Sequence, residues 1–171
     1  ALCIGINDYP GTDNDLSGCV NDANDWAEEL ARHGFAVSQL LDKDARRAAM
    51  IKAIGGLIDG AVKGDTLVIT YSGHGTWVPD SSGDEPDGRD EGLCPYDLVS
   101  KGALIDDDIH ELFARRAPGV RIVLISDSCH SGSVTRGEEA DLDPDLPRVR
   151  FMPPQAWMKG ALPSAVLSTV T

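Results

Sequence analysis

The sequence predicts an α/β fold with a mostly parallel central sheet and helices on both of its faces. Two observations lead there. Short β-prone apolar runs alternate with amphipathic helical patterns along the chain, as in βαβ units. At 171 residues the chain fits one domain with a sizeable core, so the whole of 1–171 reads as a single domain.

The elements follow in order. Residues 1–6 form an apolar strand, and Asn7 to Gly18 a turn-rich loop. Residues 21–33 read as a helix with Asn21 or Asp22 near its N-cap, apolar positions at Ala23, Trp26, Ala27 and Leu30, and Gly34 as its stop. A strand is expected over 35–41. A helix is expected from Asp44 to Ile58, with Ala48, Ile51, Ile54 and Ile58 on one face. Thr66 to Tyr71 is strongly β-prone. Residues 72–95 read as one long polar loop, and loops of that length are usually functional. Asp106 to Arg116 reads as a helix with acid at its start and base at its end, which suits the helix dipole. Val120 to Ser126 reads as a buried strand, Val134 to Pro154 as a flexible loop, and Ala165 to Val170 as one more strand.

Composition narrows the partners. The net charge is −13, which disfavours nucleic acid and anionic membrane surfaces and suits cations or basic substrates. Acidic clusters also serve solubility, and either reading is open for each cluster. No apolar stretch is long enough for a membrane helix. The four cysteines match neither a zinc pattern nor a disulfide scaffold, so a reducing, cytoplasmic setting is expected.

In open α/β sheets functional groups gather at the carboxyl ends of the strands. Tyr71 is followed by Ser72-Gly73-His74-Gly75, and Ile125 by Ser126-Asp127-Ser128-Cys129-His130-Ser131-Gly132. Two strand ends thus deliver an imidazole and a thiol. A thiol of pKa about 8.5 is mostly protonated near neutrality, so His74 as general base and Cys129 as nucleophile form a working pair. A lone histidine or buried cysteine is usually structural; the pairing at strand ends is what favours chemistry. His130 is the competing base, but it points the other way from Cys129 on extended chain. The backbone N–H groups of Gly75 and Cys129 are candidates to stabilise an oxyanion. Ser128 and Ser131 do not sit in a Gly-x-Ser-x-Gly elbow, which argues against serine hydrolysis.

These motifs resemble those of the metacaspases and their prokaryotic relatives, the orthocaspases. The likeness includes Gly18-Cys19-Val20-Asn21-Asp22-Ala23, the acidic run from Gly83-Asp84-Glu85 to Cys94-Pro95-Tyr96-Asp97, and Ile105-Asp106-Asp107-Asp108, in the same order and up to about Gly132. At the nucleophile the chain does not resemble true caspases, where Gln-Ala-Cys is expected. The resemblance implies a three-layer α/β/α caspase-like sandwich and a cysteine endopeptidase cutting protein or peptide substrates after Arg or Lys. It places Asp22, Ser72 and Asp127 in an acidic pocket for the basic side chain, which agrees with how carboxylates hold guanidinium. Asp22 also reads as a cap of its helix, and the two roles are compatible; a buried unpaired Asp127 would be costly.

No cofactor is implied for the chemistry itself. The family does suggest a calcium ion, for which Asp84, Asp87, Asp90, Asp106 and Asp107 are the candidate ligands. Arg136 stands where the family often has an acid, and Asp106 to Asp108 also read simply as a helix start. The family continues into a smaller segment that completes the sheet, and residues 134–171 are expected to be too short to supply all of it. Arg136, Arg148 and Arg150 lie in the polar, Pro-containing stretch where an Arg-directed enzyme could cut itself. The alternative function is a catalytically silent caspase-fold interaction or calcium-responsive module, which intact His74 and Cys129 argue against.

Overall fold

A computed structural model describes residues 1–80, 83, 85–129 and 150–158. Its main sheet is parallel, in the order β2-β1-β3-β7, built from β1 (Leu2–Gly5), β2 (Ser38–Leu41), β3 (Thr66–Ser72) and β7 (Arg121–Asp127). A second, antiparallel sheet has the order β4-β5-β6, from β4 (Gly75–Pro79), β5 (Arg89–Leu93) and the short β6 (Leu104–Ile105). The helices are α1 (Cys19–Arg32), α2 (Arg47–Asp59), α3 (Leu98–Lys101), α4 (Asp106–Ala114) and α5 (Pro154–Trp157).

The two-residue period of the strands divides the interior into layers. Leu2 and Ile4 of β1 and Ile6 just after it, with Leu67, Ile69 and Tyr71 of β3, face the larger cluster under α2 and α4, where Met50, Ile54, Ile58 and Leu112 pack. The alternate positions Ala1, Cys3 and Val68 face α1 through Ala23 and Leu30. Helices therefore cover both faces of the central sheet, and the predicted α/β/α sandwich is the observed fold.

Several expected boundaries move. The first helix starts at Cys19, not at residue 21. Its cap position is Gly18 in the left-handed region at φ 96°, and the Asn7 side chain accepts the Cys19 N–H at 2.9 Å. Asp22 is therefore not the cap; it stands in the first turn. Gly34 does stop the helix, with its N–H on the Ala31 carbonyl and a φ of 84°, which a glycine adopts without strain. The second strand starts at Ser38 rather than 35, and α2 at Arg47, after a 3₁₀ turn over Asp42–Asp44.

Two corrections are larger. Residues 72–95 are not a structureless loop: Gly75 to Pro79 pairs with Arg89 to Leu93 as a hairpin, closed by Trp77 with the Arg89 guanidinium 4.4 Å above its ring. A dense run of Gly, Pro and Asp hid a strand pair whose stability comes from packing. The last strand of the sheet is not buried. Val123 is 43% and Leu124 37% exposed, because β7 is the sheet's edge among the described residues. Residues 134–149 of the expected flexible loop and the expected strand 165–170 lie outside the described residues. Arg150 to Pro154 belong to an ordered stretch in which Met152 and Pro154 are buried.

Gly5 shows how tightly α1 lies on the sheet. A Cβ there would come within 2.5 Å of the Cys19 carbonyl oxygen and 2.8 Å of the Ala23 Cβ. Gly5→Ala is expected to destabilise the fold by about 1–3 kcal/mol through overpacking. Gly56→Ala, in α2 with nothing within 4 Å of its Cβ position, should stabilise by about 0.5–1 kcal/mol. Urea unfolding of the two variants beside the parent checks both signs.

Candidate active site

Register builds the site. β3 pairs β7 with Ser72 opposite Asp127, and β1 pairs β3 with Gly5 opposite Ser72. Three strands thus end level with one another. His74 stands two residues beyond Ser72 and Cys129 two beyond Asp127. The predicted base and the predicted nucleophile leave the same edge at the same height.

His74 is 2% exposed and is held on every side. Its Nε2 lies 2.7 Å from the Asn14 carbonyl oxygen. A carbonyl can only accept, so Nε2 carries the proton and, in the neutral ring, Nδ1 is the basic nitrogen. The His74 N–H donates to the Tyr9 hydroxyl at 2.8 Å, and its carbonyl accepts the Cys94 N–H at 3.0 Å. The Tyr71 hydroxyl sits 2.7 Å from the same carbonyl and 2.9 Å from that of Cys94. The Tyr9 ring packs against the imidazole with centroids 4.8 Å apart. Burial pushes both tyrosine hydroxyls well above their ordinary pKa, so they remain neutral hydrogen-bonding groups. Both hydroxyls converge on Gly73, where a Cβ would lie 2.6 Å from each; this close approach is why a glycine stands there.

The acidic pocket is formed at the same strand ends, and it is filled by the chain itself. The Arg150 guanidinium donates to Asp22 Oδ2 at 2.6 Å and to Ser72 Oγ at 2.6 Å, and it pairs with the Asp127 carboxylate. Ser72 in turn donates to Asp22 at 2.8 Å. Burial raises the pKa of Asp22, but the hydrogen bonds from Arg150 and Ser72 outweigh it and hold the carboxyl below the usual range. Asp127 is not buried as expected: its side chain is 66% exposed, and Arg150 supplies the partner.

The main chain of Arg150 is held as well. Its carbonyl oxygen accepts the Gly75 N–H at 2.9 Å and the Cys129 N–H at 3.0 Å. Those are the two donors expected to face an oxyanion. Phe151 then bridges to Gly75 in parallel fashion, and the Met152 N–H donates to the Gly75 carbonyl at 2.8 Å.

Cys19, Asn14 and Tyr9 had no assigned role from sequence. Cys19 is fully buried. Burial raises its thiol pKa, against the opposing pull of Arg150 and a hydrogen bond with Ser72, so it lies beside the pocket. Its position three residues before Asp22, on the same helix face, was the available signal. Asn14 acts through its backbone, which leaves no trace in residue type.

The calcium candidates are distributed over two adjoining clefts and the opposite side of β5. Asp84 lies outside the described residues. Asp87 and Asp106, with Glu85 and Glu91, line an open cleft, and Asp106 and Asp107, with the same two glutamates, line a neighbouring one. Asp90 is 3% exposed and lines neither, because alternation along β5 points it opposite to Arg89 and Glu91. Asp108 accepts the Ile105 N–H at the start of α4 and pairs with Arg47 at 2.6 Å, so part of the acidic run is structural. Among the described residues no three acidic, histidine or cysteine side chains form a metal-holding group. Arg136 and His130 lie outside the described residues.

The metacaspase peptidase C14 domain family matches residues 1–136. The chain belongs to the metacaspase family. It is 43% identical over 144 residues to Metacaspase-1 of Cryptococcus neoformans, covering 78% of this chain and 31% of that protein. It is 40% identical over 144 residues to Metacaspase-4 of Arabidopsis thaliana, covering 78% and 34%. A Geobacter sulfurreducens protein of known crystal structure superposes with a TM-score of 0.75 at 42% identity, over 91% of this chain and 58% of that one. The chain thus spans about a third of the length of these metacaspases. No helix among the described residues is long and apolar enough to cross a membrane.

A carboxylate with a depressed pKa stabilises the fold above its unfolded pKa, and that contribution is lost as pH falls through the folded value. The Asp22–Arg150 contact is therefore fully present above about pH 4 and fades below it. Asp22→Asn is expected to unfold at lower temperature than the parent at pH 7. The gap should close as the pH falls toward 2.5, as read by thermal unfolding across that range.

Proposed function

We propose that this chain is the catalytic domain of a cysteine endopeptidase that cuts after Arg, and less readily after Lys. The observation that carries the reading is Arg150, whose side chain fills the acidic pocket while its carbonyl oxygen lies on two convergent N–H groups. That is the pose of the residue before a scissile bond. The bond presented is Arg150–Phe151.

In this reading Nδ1 of His74 takes the Cys129 proton, and the thiolate attacks the carbonyl carbon. Negative charge develops on the oxygen already placed against the Gly75 and Cys129 N–H groups, and donors of this kind are each worth about 10²–10³ in rate. Collapse breaks the C–N bond, and His74 returns the proton to the leaving amine. Water then hydrolyses the thioester. The Asn14 carbonyl keeps the imidazole in the tautomer that this proton transfer needs. Arginine is favoured over lysine because both of its terminal nitrogens find acceptors, on Asp22, Ser72 and Asp127, and a point-charge ammonium cannot reproduce that fork.

A fluorogenic peptide panel with Arg, Lys or Asp before the reporter tests this. Arg should be cut fastest and Asp not at all; equal turnover of Asp and Arg peptides would sink the pocket assignment. Asp22→Asn is expected to lower kcat/KM for Arg peptides by about 10- to 1,000-fold, the scale for losing a charged hydrogen-bond partner.

Self-cleavage is the second test. Mass spectrometry should find a new C-terminus at Arg150 in the parent and none in Cys129→Ala. The same terminus in Cys129→Ala would assign the cut to another protease. Of the other candidate positions, Arg136 and Arg148 lie outside the described residues.

A further inference from the structure

The residues after the Arg150–Phe151 bond are fastened by contacts that do not involve Arg150. The Met152 N–H is on the Gly75 carbonyl at 2.8 Å. Thr76 Oγ1 donates to the Met152 carbonyl at 2.7 Å, and the Trp157 indole N–H donates to Thr76 Oγ1 at 3.1 Å. Met152 is 0% and Trp157 7% exposed, and both belong to the main core. In an ordinary peptide substrate the leaving amine diffuses away once its bond is cut. Here the amine of Phe151 is one residue from an anchored peptide unit and stays beside the thioester.

We infer that the domain is a peptide ligase as well as a hydrolase, passing acyl groups from Cys129 to the α-amine of Phe151. The inference rests on the Arg-directed cysteine peptidase reading above. In the forward step Cys129 Sγ bonds to the Arg150 carbonyl carbon, the C–N bond breaks, and Phe151 leaves as a neutral amine with the proton from His74. In the ligation step the Phe151 nitrogen attacks the thioester carbon, the C–S bond breaks, and the ammonium proton returns through His74. The thioester supplies the driving force, so no further reactant is consumed.

Positioning decides between amine and water. A well-oriented intramolecular nucleophile behaves as if present at about 10⁵–10⁸ M, far above any solvent concentration. The amine reacts only when unprotonated, and an α-amino group has a pKa of about 7.7–8.0. Ligation should therefore gain on hydrolysis about tenfold per pH unit below that value and level off above it. When Arg150 vacates the pocket, an acyl group brought by another peptide ending in Arg meets the same amine. The product is that peptide joined to Phe151.

The experiment incubates the self-processed protein with an N-acetylated peptide carrying an amide reporter after its Arg, at pH 6, 7 and 9. The intact mass of the fragment starting at Phe151 is read. The expected result is a gain of the acetyl-peptidyl mass, rising with pH and absent from processed protein whose Cys129 has been alkylated beforehand. Thr76→Val and the milder Trp157→Phe should lower the ligation-to-hydrolysis ratio at least tenfold and about threefold, respectively. Peptide hydrolysis with an unmodified Phe151 fragment at every pH overturns the ligase and leaves the peptidase standing. No hydrolysis at all overturns both. If the chain remains whole, hydroxylamine is added to trap the acyl group. An Arg150 hydroxamate that needs Cys129 shows a bond that opens and recloses; its absence from a chain that hydrolyses the peptide refutes the inference.

Discussion

The parallel pairing of β3 with β7, Ser72 against Asp127, is the constraint on which the site depends. A parallel ladder is evenly spaced, so residues beyond paired positions leave the sheet level with one another. His74 and Cys129 follow their paired residues by the same two positions. A shift of one residue would turn every side chain of β7 to the opposite face. It would also separate the two N–H groups that meet on the Arg150 oxygen. β1, paired on the other side of β3, carries the chain into the loop that supplies Tyr9 and Asn14.

Around that register the interior is polar where chemistry needs geometry and apolar elsewhere. The His74 peptide is bonded through Tyr9, Tyr71 and Cys94, none of which carries a charge. A neutral clamp fixes the position of the imidazole without placing a charge beside it. The charged groups stand a layer further out, where Asp22 and Asp127 retain partial exposure. That placement resolves a conflict between two requirements. Carboxylates must be dehydrated enough to hold guanidinium firmly, yet fully buried ones would be protonated or costly without a partner.

Arg150 meets both requirements at once and turns the pocket inward on its own chain. The contact joins residues 128 positions apart in sequence, Asp22 and Arg150. It neutralises a pocket whose two carboxylates would otherwise repel each other. The following residues are integrated into the core through Met152 and Trp157, so Arg150 is held from a packed base.

The sequence alone determined the layered α/β/α class and the placement of His74 and Cys129 at strand ends; the acidic pocket at Asp22, Ser72 and Asp127 came from the resemblance to metacaspases. The first two are local properties: periodicity reports which face of an element is buried, and motifs at strand ends report where side chains emerge. Asp22 could be read as a cap or as a pocket residue, and only the fold showed that it is not the cap and that it meets Ser72 and Arg150, which arrive from elsewhere. The hairpin within residues 72–95 was hidden because its pairing is cross-strand and its composition is that of a loop. Asp90 was counted with a cation cluster because charge carries no direction; its burial on the opposite side of β5 was settled by pairing with β4. Asn14 contributes a carbonyl, which every residue has. Arg150 was legible as an exposed basic residue in a polar stretch, but its insertion between Asp22 and Asp127 required the sheet that brings those carboxylates together.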